Sequence, residues 1–401
     1  MSKVLSFPDH FKWGTSTAAA QIETASDHNW RGVVARDGSV FNRTTDHELR
    51  RYEDLEHIVR FGTIYRAGVD WARLQASPKA DFQEEVVAEY RDFFAALRRR
   101  GMEIMFVIHH FTHPRWFEEA GGWPDESTIP YYVDFAERCV HHFGDLVSYW
   151  NTFNEPNVFA LNAYLLGNFP PMQKGRYFRA NRVLRNMGHA HDIARELIKA
   201  RFPQAPVGIS MNTAWFEGQS WWGRRLANFM DRWFHWRTAR HFEQVDFWGI
   251  SYYAYIPFRP LAVTEIDNPG ELDRLGIPHD QMWGYRPEGL GRIIRRVYQR
   301  YQKPVIITEN GICTDDPQRR IAAIKDYLKV CHELLTDGIP LQAYIFWSTF
   351  DNMEWNLGNT YRFGLVTIDW ETMERHNTAA ADFYAQVCAY RSYFNGICGT
   401  D

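Results

Sequence analysis

The chain has 401 residues, and its 45 lysines and arginines against 49 aspartates and glutamates give a formal net charge of −4. That balance excludes the basic footprint of a nucleic-acid binder and gives no reason to expect strong attraction to an anionic membrane. Hydrophobic residues at 45% and charged residues at 23% are ordinary globular composition, and no long apolar run offers a membrane span.

The length allows two or three domains, yet a single α/β barrel also reaches this size with insertions. The five cysteines, Cys139, Cys313, Cys331, Cys388 and Cys398, are odd in number and far apart, with no CxxC pair. They suit neither a disulfide framework nor a zinc site and point to a reducing, cytoplasmic compartment. The opening residues MSKVLSFPDHFKWG lack the apolar core of a secretory signal. Aromatic residues reach 16% of the chain, enough for a large core and for a pocket that meets flat apolar faces such as those of sugar rings.

Short β-rich apolar runs alternate with amphipathic stretches. Strands are predicted at 11–17, 63–74, 103–110, 148–155, 207–213, 246–253, 304–311 and 343–350. Between them, 84–100 carries Val87, Tyr90, Phe94 and Leu97 at helical spacing and ends in arginines before Gly101, as a helix C-terminus should. Helices are also predicted at 182–200 and 319–337. Eight strands alternating with helices predict a parallel sheet, and eight is the number that closes a (β/α)8 TIM barrel. An open doubly wound sheet is the alternative, without a dinucleotide or phosphate-loop motif to support it. We expect residues 1–401 to form one barrel domain.

A barrel carries its chemistry at the C-terminal ends of its strands. Polar residues gather there: His109 and His110, Asn154 and Glu155, Tyr252 and Tyr253, Glu309 and Asn310, Asp351 and Asn352. Glu155 ends the fourth strand in TFNEPN, and Glu309 ends the seventh in IITENG. Strands four and seven lie across the mouth from each other, so the two carboxyls can flank one substrate bond. Glycoside hydrolysis needs that pair, one protonated to assist the leaving oxygen and one ionised to attack. Two structural salt bridges are the bland alternative.

These motifs resemble those of glycoside hydrolase family 1, the β-glucosidase and β-galactosidase family, over residues 11 to about 369. The resemblance implies a retaining exo-β-glycosidase, with Glu155 as acid/base and Glu309 as nucleophile. It places Gln21 on sugar hydroxyls and makes His110, in HFTHP, the glycone-binding histidine, with Phe111 where tryptophan is usual. Trp347 becomes the floor beneath the ring. Glu354 and Trp355 bind outer hydroxyls, and Phe363 sits near the sugar C6. On chemical grounds Asn154 is expected to hold the 2-hydroxyl and Tyr253 to donate its hydroxyl to Glu309. Arg73, ending the second predicted strand, is expected to be the cation that keeps Glu309 ionised.

Ser251 stands where the family usually has asparagine. The stretches 23–51 and between strands six and seven are short for the family, which predicts an open aglycone side and broad aglycone tolerance. Glu354 and Trp355 are intact and 356–361 contains no lysine, which disfavours a phosphorylated sugar. His109 and His110 are adjacent on a strand and so face opposite ways, and the chemistry calls for no metal or cofactor. The expected partner is a β-glycoside, with no nucleic acid and no membrane. Rival readings are a transglycosylase using the same pocket and a sugar-binding barrel without catalysis.

Overall fold

The computed structural model describes residues 3–258 and 269–395; Cys398 lies outside them. Eight strands close into a parallel barrel in chain order. They are β1 (Lys12–Ser16), β2 (Ile64–Gly68), β3 (Glu103–His109), β4 (Tyr149–Asn154), β5 (Val207–Gly218), β6 (Phe247–Phe258), β7 (Val305–Asn310) and β8 (Leu341–Trp347). β1 pairs with both β2 and β8, which seals the ring. This is a (β/α)8 TIM barrel.

Each predicted strand is present, with β2 shorter and β5 and β6 longer than expected. β2 stops early because Asp70 caps a short helix directly after it. The Asp70 carboxylate accepts from the backbone N–H groups of Ala72 (2.9 Å) and Arg73 (3.3 Å) and so opens the four-residue helix α1 (Trp71–Leu74). The surrounding helices include α2 (Glu84–Arg99), α3 (Pro156–Tyr164), α4 (Tyr177–Arg201), α5 (Trp221–Met230), α6 (Glu288–Tyr301) and α7 (Pro317–Thr336). α2 has glutamates in its first turn and arginines in its last, matching the helix dipole. Among the described residues no helix is long and apolar enough to cross a membrane.

Side chains alternate between two buried layers. Ile64, Met105, Phe247, Ile306, Ala343 and Ile345 fill the barrel interior. Tyr65, Phe106, Trp150, Trp248, Ile307 and Tyr344 face the surrounding helices in the main core. Ladder irregularities interrupt the barrel at several points, among them one in β4 between Asn151 and Asn154 and one in β7 between Ile307 and Asn310.

Candidate active site

Those irregularities decide where the acidic motifs point. In β7, Ile306 faces inward and Ile307 outward. Strict alternation would send Glu309 out to the helices. The irregularity reverses the phase, so Glu309 lines the central pocket while Asn310 turns outward and accepts from the Tyr344 hydroxyl at 2.8 Å. In β4, Thr152 bonds His191 of α4 at 2.7 Å and Phe153 stacks on Tyr132 at 4.8 Å. Two consecutive outward residues leave Asn154 facing inward. Glu155 then adopts a left-handed backbone (φ 43°, ψ 57°) immediately before Pro156 opens α3. Phe111 and Trp355 also line the pocket with positive φ, so strained backbone gathers here.

The pocket encloses about 620 Å³, its open mouth included. It brings together His110, Asn154, Glu155, Tyr253, Glu309, Trp347, Glu354, Trp355 and Phe363, all picked out by sequence motif. Asn162 of α3, Asn212 of β5, and Phe169, Trp283 and Leu357 from the connecting segments join them, and no motif marked any of the five.

The two carboxyls have different surroundings. Glu309 accepts from Arg66 Nη1 at 2.6 Å and from the Tyr253 hydroxyl at 2.9 Å. Burial raises its pKa, and Arg66 and Tyr253 oppose that rise and hold charge on it. Glu155 accepts from Asn212 Nδ2 at 2.9 Å. Burial, then the neighbouring Glu309, push it up to about 8 against the pull of Asn212 and Ser251. The arrangement favours a protonated Glu155 beside an ionised Glu309.

The cation at this site is Arg66, not Arg73. Arg66 stands two residues after Ile64 on the inward face of β2. Its guanidinium binds Ser16 Oγ (3.0 Å), Glu309, Asn154 Oδ1 (2.5 Å) and Ser210 Oγ (3.1 Å). Arg73 lies beyond the strand end in α1, where it pairs with Glu23 and Glu89. The Asp70 cap turns the chain away from the mouth before Arg73 is reached.

Arg66→Lys is expected to lower kcat/KM about ten- to a hundredfold, the value of one or two charge-assisted hydrogen bonds. One ammonium cannot reproduce the fork that spans Glu309 and Asn154. The acidic limb of the kcat/KM profile should move to higher pH, because Glu309 loses the group favouring its anion. Arg73→Gln should leave that limb in place. A limb that moves in the Arg73 variant and stays in the Arg66 variant would reverse the assignment.

Arg66 also orders the far wall. It occupies Asn154 Oδ1, so Asn154 Nδ2 donates to His110 Nε2 at 2.9 Å. Burial and then Arg66 keep His110 well below its usual pKa, hence neutral. Its Nδ1 then carries the proton, and that buried atom has no partner among the described residues. Glu354 Oε2 is likewise buried without a partner. Burial, then Glu309, raise Glu354 to about 8. Gln21 sits behind Glu354 and donates to Asn352 Oδ1 (2.9 Å) and the Met353 carbonyl (2.8 Å), leaving its own Oε1 unpartnered. Unpaired polar atoms beside the indole of Trp347 suit a ligand with hydroxyls on its edge and C–H groups on its face.

His109 is turned away from the pocket, accepting from Trp123 Nε1 at 3.2 Å, and His113 pairs with Glu118 at 2.7 Å. Among the described residues no group of three or more histidine, cysteine or acidic side chains is placed to hold a metal ion.

The Glycosyl hydrolase family 1 model matches residues 4–257 and 238–392. The chain belongs to that family. β-Glucosidase A of Thermotoga maritima is 27% identical, with 96% of this chain and 98% of that protein aligned. The solved β-glycosidase of Pyrococcus horikoshii superposes with a TM-score of 0.87 at 27% identity, covering 97% of this chain and 96% of that one. The T. maritima family 1 β-glucosidase bound to isofagomine lactam reaches 0.89 at 25% identity, covering 98% and 100%. A chloroplast galactolipid galactosyltransferase of Arabidopsis thaliana is 29% identical over 77% of this chain and 51% of its own length.

Proposed function

We propose that this family 1 glycosidase is a retaining exo-β-glycosidase that releases terminal β-D-glucosyl residues, or their galactosyl or fucosyl counterparts. The observation carrying the reading is the pair of buried carboxyls in one pocket, one charge-supported by Arg66 and Tyr253 and one raised to about 8. In the first step Glu309 attacks the anomeric carbon and Glu155 gives its proton to the departing oxygen. In the second, Glu155 takes a proton from water, which displaces Glu309 and restores the original configuration. Asn154 faces the 2-hydroxyl, His110 and Glu354 the outer hydroxyls, Trp347 the ring and Phe363 the C6 end. No step calls for a cofactor. Relatives named β-glucosidase at 27% identity, and a 1,4-β-D-glucan glucohydrolase at the same identity, support the class of substrate.

Of the pocket lining, we assign Val158, Phe169, Trp283 and Leu357, with the amides of Asn162 and Asn356, to the aglycone side. An apolar wall with few directed polar groups suits many leaving groups, and we infer broad aglycone tolerance. The described thiols of Cys139, Cys313, Cys331 and Cys388 are free and buried. They suit the cytoplasm, and we infer that residues 1–401 act there as one catalytic domain.

The test is a panel of nitrophenyl β-glycosides with the released sugar followed by proton NMR. The β-anomer should appear first, from whichever of the glucoside, galactoside and fucoside are cleaved. Initial release of the α-anomer, or no release from any member, would remove this reading. The similarity to a galactosyltransferase favours a second one, transfer to an acceptor alcohol. Added alcohol should then yield β-linked product at the expense of free sugar.

A further inference from the structure

The near-neutral overall charge conceals a one-sided surface. Four tryptophan and phenylalanine residues among those described are exposed: Phe178 (86%), Trp222 (64%), Phe229 (53%) and Trp221 (50%). Three of them share one face of a helix. Trp221, Trp222 and Phe229 belong to α5, and Phe178 opens α4, whose Tyr177 packs on Trp233 of the following π-helical segment (Asp231–Arg237) at 6.3 Å.

Arginines interleave with these rings. Arg224, Arg225, Arg232, Arg237 and Arg240 are all exposed. With Arg300 of α6, none of them forms an ion pair with a described carboxylate. Arg225 lies over the Trp221 ring at 4.2 Å and Arg300 over Trp236 at 5.4 Å. A groove between them is lined by Phe229, Arg232, Arg237, Arg240 and Arg300. The nearby Asp231 is already taken by Arg296, at 2.8 and 2.7 Å. Trp222, Arg225, Phe229 and Arg232 recur every three or four residues, so aromatic and cationic side chains share one helical stripe.

We propose that this face docks on an anionic lipid bilayer, with Trp222 and Phe229 entering the headgroup layer and the arginines meeting lipid phosphates. Aromatic rings and unpaired cations along one helical face are the composition of an interfacial element. Phosphate groups supply the negative charge that the described carboxylates do not bring to these arginines. A second copy of this chain fits less well, since a two-fold contact would set arginines against arginines. The face also bears on the catalytic mouth. β5 carries Asn212 at Glu155 and runs on to Gly218, from which α5 departs, so the docked face begins at the rim of the pocket.

The test is flotation with vesicles of phosphatidylcholine alone and of equimolar phosphatidylcholine and phosphatidylglycerol. The protein should float with the anionic vesicles only, and less as salt rises. Its tryptophan emission should shift to the blue on binding. Arg225→Gln, Arg232→Gln and Arg237→Gln together should weaken binding on the order of a hundredfold, at about one decade or slightly less per charge. Trp222→Ser with Phe229→Ser should abolish the blue shift and weaken binding at least about tenfold. Both variants should cleave soluble nitrophenyl β-glucoside at the parent rate, or, should the parent not cleave it, keep the parent melting temperature. Absence of binding to the anionic vesicles, equal binding to both vesicle types, or binding indifferent to the aromatic pair would overturn the proposal. So would dimerisation or capture of an acidic protein or nucleic acid that depends on the same residues while vesicles are ignored.

Discussion

Glu309→Gly is expected to abolish turnover of every β-glycoside, and azide is expected to restore reaction with the anomeric configuration inverted. The groups in contact with the missing carboxylate cannot replace it as a nucleophile. Arg66 and Tyr253, which oppose the burial of its charge, are hydrogen-bond donors. Losses for a removed nucleophile run on the order of 10⁴ to 10⁶ in kcat. The vacated volume admits azide next to the Arg66 guanidinium. With a dinitrophenyl β-glycoside, azide forms the C–N bond as dinitrophenolate leaves with the bonding pair. One displacement instead of two gives the α-glycosyl azide. NMR of the product decides the matter. A β-azide, or a Glu309→Gly enzyme within tenfold of the parent on a purified preparation, would remove Glu309 from the nucleophile's role.

The barrel was readable in the chain because its signal is repetitive. Apolar runs recur between amphipathic stretches, and no single run has to be bounded correctly for their number and order to emerge. The acidic motifs were readable for a different reason, that charged residues closing apolar strands need a purpose or a partner. Their direction was not readable. Simple alternation from Tyr149 or Ile306 puts Asn154 and Glu309 on the helix side, and only the local ladder shifts bring them into the pocket. Nothing in TFNEPN or IITENG, taken as composition, announces a bulge.

Arg66 and Arg73 show the opposite situation. The information was present, since Arg66 shares the inward parity of Ile64 and Asp70 is a helix-capping residue ahead of Arg73. Extending the strand to residue 74 concealed both. Asn212, Trp283 and Phe169 reach the pocket from long strands and loops whose paths depend on tertiary packing, and local pattern holds little about them. The arginine-aromatic face was hidden by averaging. A net charge of −4 is the sum over a whole surface and says nothing of one helix.

Glu155→Ala is expected to lower kcat/KM on alkyl β-glucosides by about 10² to 10⁴, the usual value of a positioned general acid. On dinitrophenyl β-glucoside kcat/KM should change little. A dinitrophenolate leaves without a proton, so Glu309 attacks at nearly the parental rate. The second step still lacks its base, so glycosyl-enzyme accumulates and kcat and KM fall together. Azide should speed that step and yield the β-glycosyl azide, the opposite anomer to that from Glu309→Gly. Equal losses of kcat/KM on both substrates would contradict the acid assignment.

The pH profile gives an independent reading. Catalysis needs Glu155 protonated, and burial with Glu309 nearby raises it to about 8, so parental kcat/KM should fall as pH rises through about 8. Glu354 is raised to about 8 as well, by burial and the same neighbour, and offers a second source for that limb. Glu155→Gln separates them, because it cannot titrate and leaves Glu354 untouched. If Glu155 is the acid, the variant's profile on dinitrophenyl β-glucoside is flat above neutrality. If the limb survives in the variant, Glu354 is the titrating group, and its ionisation weakens sugar binding rather than leaving-group departure.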